Sequence, residues 1–267
     1  MKLDMGGGRG RRAWLALAAL LAPALAWAGP PYTTDDPEPV ELHHWEVYLA
    51  TVDQWSREAG WSGTAPHLEV NYGALPDVQL HAIAPLAWAH APGGGTSLGY
   101  GDTELGAKVR FVHEGERVPQ IGVFPLLELP TGDASRGLGA GQTQLFLPLW
   151  LQKSFGPWTS YGGGGYWINP GPGNRNWWYF GWQAQRRLGE GVALGAELFH
   201  GTARQDGGSG ETRFNVGVVL DFGELHHVLV SAGRALDKQA AQAYLAYQLT
   251  FGPGGEAPAP EDGHEGH

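Results

Sequence analysis

The sequence predicts an all-β chain: a transmembrane antiparallel β-barrel of about twelve strands. Three observations predict it. From residue 42 onward, apolar and polar side chains alternate with period two over segments of about ten to fourteen residues, the spacing of a strand and not of a helix. The connections between these segments alternate long with short, which suits a barrel with one looped rim and one tightly turned rim. After residue 28 no run is long and apolar enough to be a spanning helix, which needs ~20 residues. Entry into a bilayer would therefore have to be by a closed barrel.

Taken in order, residues 1–28 read as a secretory signal peptide. Lys2, Arg9, Arg11 and Arg12 precede an apolar run over 13–25 that ends in Ala26-Trp27-Ala28, with cleavage expected after Ala28. Residues 29–41 are expected to be a periplasmic N-terminal segment. Strands are expected at 42–53, 66–74, 77–88, 100–112, 119–129, 142–153, 157–168, 176–187, 191–201, 211–222, 225–235 and 241–251. The long connections, 54–65, 89–99, 130–141, 169–175 and 202–210, are expected on the extracellular rim. Pro85, Pro125 and Pro148 fall inside expected strands, so bulges or strand ends are expected there. In the last strand, Ala243, Leu245, Tyr247, Leu249 and Phe251 form one apolar face ending on an aromatic. That face is similar to the C-terminal targeting strand of bacterial outer-membrane proteins. Residues 252–267, all Gly, Pro, Ala, Glu, Asp and His, are expected to be a disordered tail.

The stretch GYGDTELGAKVRF shows how the faces divide. Asp102, Glu104, Lys108 and Arg110 share one side, and Thr103, Leu105, Ala107, Val109 and Phe111 share the other. A barrel in lipid turns the apolar row outward and the charged row into a polar lumen. The same parity places Glu46, Tyr48, Glu69, Phe124, Glu128, Trp150, Tyr179, Arg187, Glu197, Arg213 and Asp221 inside. Charges in a lumen of low dielectric are expected to pair or to meet water.

Composition excludes several classes. The chain carries a net charge of −10, and removing four cations and Asp4 with the signal peptide leaves it more acidic, so it is a poor nucleic-acid binder. It has no cysteine, so hydrogen bonds and packing must hold the fold. Its 12 Trp exceed the needs of a core and suit the aromatic girdles of a barrel. Trp45, Trp88, Trp158, Trp177, Trp178 and Phe180 are expected there.

GYGDTELGAKVRF, followed by LLELPTGD at 126–133 and then GLGAG, resembles an outer-membrane family associated with meta-pathway phenol degradation, whose members are often labelled transporters. The matching positions are Gly101, Asp102, Leu105, Lys108, Pro130, Thr131, Gly132 and Asp133, and the similarity extends over about 32–251. The resemblance implies a barrel that moves small molecules, aromatic or hydrophobic ones included. It implies passage more firmly than it implies phenol, and it brings no catalytic residues.

Other motifs carry bland readings. SYGGGGYW at 160–167 lacks the Gly-Lys-Ser/Thr of a phosphate loop, and glycines of a curved strand covered by aromatics explain it. His43-His44 and His226-His227 cannot each give two metal ligands from one regular strand, because neighbours point to opposite faces. His264 and His267 in the tail could bind a divalent cation weakly. Ser231 lies near His227, but no nucleophile, base and acid share a telling spacing. The expectation is an outer-membrane channel or passive transporter of a Gram-negative bacterium, not an enzyme, with no cofactor and no metal. Its partners would be outer-membrane lipid, a small-molecule solute and the barrel-assembly machinery, with no nucleic acid. The alternatives are a plugged structural barrel and a lipid-modifying enzyme.

Overall fold

A computed structural model describes residues 31–253. The signal peptide and the tail beyond Pro253 lie outside the described residues. Fourteen strand segments make one closed sheet: β1 (Trp45–Ser56), β2 (Gly60–Leu75), β3 (Val78–His90), β4 (Thr96–Tyr100), β5 (Thr103–Val112), β6 (Gln120–Val123), β7 (Leu126–Leu129), β8 (Gln144–Phe155), β9 (Trp158–Ile168), β10 (Trp177–Gly189), β11 (Val192–Gly201), β12 (Glu211–Phe222), β13 (His226–Ala235) and β14 (Ala240–Phe251). β4 and β5 are one stave interrupted at Gly101-Asp102, and β6 and β7 are one interrupted at Phe124-Pro125, so the barrel has twelve staves. β1 closes on β14 in unbroken register from Trp45↔Phe251 to Ser56↔Ala240. Closure joins the staves all the way round, β4 alone pairing on one side only, with β3, and the ladder satisfies the backbone groups that lipid cannot.

The prolines explain the interruptions. Pro125 cannot donate to a ladder and marks the break between β6 and β7. Pro85 lies beside the other break, where its carbonyl accepts the Gly101 N–H at 2.9 Å. Pro148 stays in β8, paired with Gly165.

Side chains on the outer wall are apolar in nearly every stave: Leu49, Leu68, Leu80, Leu105, Leu149, Phe180, Leu194, Val216 and Leu245 are all exposed. In water such a belt would drive aggregation, whereas in a bilayer it meets its own kind of solvent. Aromatics bound it. Trp45, Phe111, Phe155, Trp158, Phe222 and Phe251 ring the end near the tight turns, and Trp61 and Trp178 stand toward the other. Exposed aromatics at the ends of an apolar band are what lipid headgroups favour.

Two expected loops are strand instead. Residues 54–65 form a long hairpin in which Trp55 pairs with Trp61, their rings 6.4 Å apart, and only 57–59 turn. The register shift between Thr64 and His67 absorbs Ala65-Pro66, the punctuation that reads as loop in sequence. Likewise β4 occupies part of 89–99 and pairs with Leu86 to His90. Long connections at this rim are therefore limited to 130–143, 169–176 and 202–210.

Candidate functional site

The lumen holds a segment of the chain itself. Residues 31–40, expected in the periplasm, run inside the barrel, and Thr34 and Asp36 are fully buried there. The wall receives this segment through charged and amide side chains from many staves. Glu197 of β11 accepts the backbone N–H groups of Thr33 and Thr34 at 2.9 and 2.8 Å, and Asn215 Nδ2 donates to the same carboxylate at 2.5 Å. Lys108 of β5 donates to Asp35 at 2.9 Å and stands 3.5 Å from Asp36. Glu38 accepts from Gln120 Nε2 at 3.1 Å and Gln152 Nε2 at 2.8 Å, and Val40 N–H donates to Gln79 at 2.9 Å. The partners of this segment lie up to 209 residues away in sequence, where Gln242 Nε2 donates to Thr33 Oγ1.

Glycines make room for the segment. A Cβ on Gly181 would fall 2.3 Å from Thr34 Oγ1, one on Gly195 2.5 Å from the Tyr32 hydroxyl, and one on Gly217 3.0 Å from the Tyr32 ring. These three belong to consecutive staves β10, β11 and β12, so the wall carries a groove where the segment crosses it. Tyr32 OH then donates to the Gly217 carbonyl at 3.1 Å.

Above Tyr32 and Thr33 the lumen opens as a vestibule of 1290 Å³ toward the rim of long loops. Its lining includes Trp177, Tyr179, Phe199, Arg204, Arg213 and Tyr244. One wall is aromatic: its Trp177, Tyr179 and Phe199 belong to a buried cluster with Phe124, Phe146 and Trp150, drawn from four staves. Elsewhere on the inner face a polar chain runs in which Gln79 donates to Asn71 at 2.9 Å, and Asn71 to Glu69 at 2.9 Å. His81 bridges Asn71, at 2.7 Å, and Glu104, at 3.0 Å.

The structure places the residues named from parity as follows. Tyr48, Glu69, Lys108, Phe124, Trp150, Tyr179 and Glu197 are buried inside the barrel. Glu46 accepts from Tyr48 OH at 2.8 Å, Arg110 donates to Asp77 at 2.7 Å, and Arg213 to Gln242 at 2.8 Å, all on the inner face. Arg187 lies 3.5 Å from Asp221, which also meets His227 at 2.9 Å. Glu128 pairs in register with Glu104, on the same inward side.

Asp102 has a different task. Its carboxylate accepts the N–H of Gly132 at 2.9 Å and of Ala140 at 2.5 Å, pinning the 130–143 loop to the stave break. Thr131 Oγ1 donates to the Gly101 carbonyl at 2.8 Å and accepts the Thr103 N–H at 2.9 Å. Gly132 and Gly139 leave space for that carboxylate, since a Cβ there would approach it to 3.0 and 2.3 Å. Asp133 caps the short 3-10 turn Ala134–Arg136. Thus Gly101, Asp102, Thr131, Gly132 and Asp133, two sequence motifs thirty residues apart, interlock as one clasp, with Pro130 leading into it, while Lys108 of the same motif holds the luminal segment.

Trp177, expected in the girdle, points inward, because it shares the face of Tyr179. His226 meets the Tyr247 hydroxyl at 2.6 Å outside the barrel, and His227 meets Asp221 inside it. Ser231 donates to the Pro31 carbonyl, at 2.5 Å. Sequence reasoning missed the luminal role of 31–40, the amide Gln152 and Arg204. Alternation sets Gln120 and Asn215 on the inward face, and Gln152 alternates with apolar neighbours in the same way, so parity could have found it.

Solved barrels share this architecture. KdgM porin in complex with disordered oligogalacturonate matches 77% of this chain and 99% of its own length, at 12% identity and a TM-score of 0.56. The translocator domain of the autotransporter NalP from Neisseria meningitidis matches 91% of this chain and 94% of its own, at 13% identity and a TM-score of 0.51. The chain has the fold of an outer-membrane barrel. At such identities the likeness extends to fold alone. No family model and no curated protein matches the sequence.

Proposed function

We propose that this protein is a non-enzymatic channel of a Gram-negative outer membrane that passes small molecules, aromatic or hydrophobic ones included, and that residues 31–40 form its gate. The observation that carries the reading is the division of the lumen: a vestibule of 1290 Å³ faces the loop rim, and Tyr32 and Thr33 form part of its floor. A solute entering from the loops meets Trp177, Tyr179 and Phe199, surfaces on which flat or apolar molecules rest. To go further it must displace a segment held by Glu197, Lys108, Gln120 and Gln152. Those bonds are polar and individually exchangeable for water, so the segment can move without unfolding the wall. Association with a phenol-degrading pathway is part of this proposal and rests on the sequence resemblance. The apolar face of β14, ending on Phe251, fits recognition by the barrel-assembly machinery.

The test is single-channel conductance of refolded protein in a planar bilayer, with and without phenol. Discrete openings altered by phenol are expected. A silent membrane holding folded protein, with phenol present, contradicts it. A second reading, a barrel closed for structural purposes, draws on the density of bonds to 31–40. It predicts that the full chain stays silent under every solute.

A further inference from the structure

The vestibule contains one cation whose setting differs from its neighbours. Arg175 stands 3.9 Å from Asp206, Lys238 stands 3.9 Å from Glu211, and Arg213 pairs with Glu211. Arg204 has no carboxylate at ion-pair distance among the described residues; Glu128 and Glu211 face it from farther off. Its guanidinium lies 4.1 Å from the centre of the Trp177 ring. Trp177 stacks on Trp167 at 5.5 Å and 5°, and Trp167 on Phe146 at 4.7 Å and 12°, so the cation extends a stack of three rings. The Arg204 backbone is fixed too: its carbonyl accepts from Arg175 N–H at 2.9 Å and from Asn169 Nδ2 at 3.2 Å.

A guanidinium held over an indole face still has N–H groups to offer another partner. Those groups belong to a residue lining the vestibule beside Tyr179 and Phe199, whose rings lie 5.8 Å apart. A planar fork of donors matches a carboxylate bidentately, which a neutral hydroxyl cannot reproduce. The adjoining rings match a flat apolar body. We propose that Arg204, held over Trp177 beside Tyr179 and Phe199, is an anion subsite of the vestibule that selects planar aromatic carboxylates over neutral rings of the same size. This rests on reading the vestibule as the entry to a channel. The subsite also borders the gate, because the Tyr179 hydroxyl meets Thr34 Oγ1 at 3.1 Å.

The test compares benzoate with benzyl alcohol on the refolded full chain, by calorimetric titration and by flux into liposomes. Benzoate should bind about tenfold more tightly, the yield of one charge-assisted pair. Arg204→Gln should abolish the preference, weakening benzoate far more than benzyl alcohol, and Arg204→Lys should restore part of it. Equal affinities in the natural protein, or an undiminished preference in Arg204→Gln, overturn the subsite. Should that variant fail to refold, the natural protein still decides, since its preference must shrink as salt screens the ion pair and a salt-independent preference overturns the subsite. Equal binding with flux of both solutes removes the subsite and leaves the channel. Selective benzoate binding with no flux of either removes the channel and leaves the subsite.

Discussion

The two halves of the lumen are walled by the same staves yet hold different contents. Toward the tight turns, Lys108, Gln120, Gln152 and Gln79 face inward and bond a segment of the chain. Toward the loops, Trp177, Tyr179 and Phe199 face an open vestibule. Alternation explains only why both sets face inward. The difference lies in what each inner face can satisfy. Amides and charges in a narrow lumen need partners, and a polar segment supplies them. The faces of aromatic rings ask for no hydrogen bond and can be left facing a space, the Tyr179 hydroxyl having Thr34 as its partner.

If the contrast is right, the segment should be removable without loss of the wall. The largest effect is expected from deleting residues 31–40: the barrel should still show heat-modifiable mobility on a denaturing gel, and its conductance should rise several-fold over the full chain. A deletion variant that is folded but conducts no better would remove the distinction between the halves.

Next is Glu197→Leu. It strips the acceptor from two backbone N–H groups and Asn215, so docking of the segment should weaken by about 2–4 kcal/mol. Limited proteolysis within 31–40 should accelerate accordingly, while Gly195→Val, which fills the groove under Tyr32, should act in the same direction through sterics.

How much of this was legible follows from what alternation reports. Strand positions and inward parity of Glu46, Lys108 and Glu197 follow from period two, because it acts residue by residue. The seat of 31–40 does not, because PYTTDDPEPV has no period, and the acceptor of its Thr33 and Thr34 N–H groups lies more than 160 residues on. Asp102 shares a strand face with Glu104, so parity alone makes it a lumen charge. Only the return of the 130–143 loop, a tertiary event, makes it a clasp. The hairpin over 54–65 was hidden by Ala65-Pro66, which a bulge accommodates.

A smaller effect concerns the loop rim. Asp102→Ala should leave the stave pairing intact but free the 130–143 loop, raising its proteolysis rate about tenfold for the loss of charge-assisted bonds worth about 1.5 kcal/mol. Asp102→Asn keeps one acceptor and should give a lesser increase.

The smallest effect is at the opposite rim. Asp77, in the turn between β2 and β3, is partly desolvated, which alone would raise its carboxyl, but hydrogen bonds from Arg110 and His113 outweigh this and hold it below the usual range. A depressed folded value stabilises the protein above the unfolded value of about 3.9, and the contribution vanishes as pH falls through the folded value. Because the group is partly exposed, less than about 1 kcal/mol is involved. Acid unfolding below about pH 4 should lose that part of its pH dependence in Asp77→Asn.

Whether residues 31–40 are the gate is tested most directly by tethering them. The chain has no cysteine, so Thr34→Cys with Gly181→Cys, positions that touch across the groove, introduces a single pair. Single-channel recording in a planar bilayer should show openings under reducing conditions, closure on oxidation and recovery on reduction. Equal conductance in the oxidised and reduced protein, with the cross-link verified, would contradict the account.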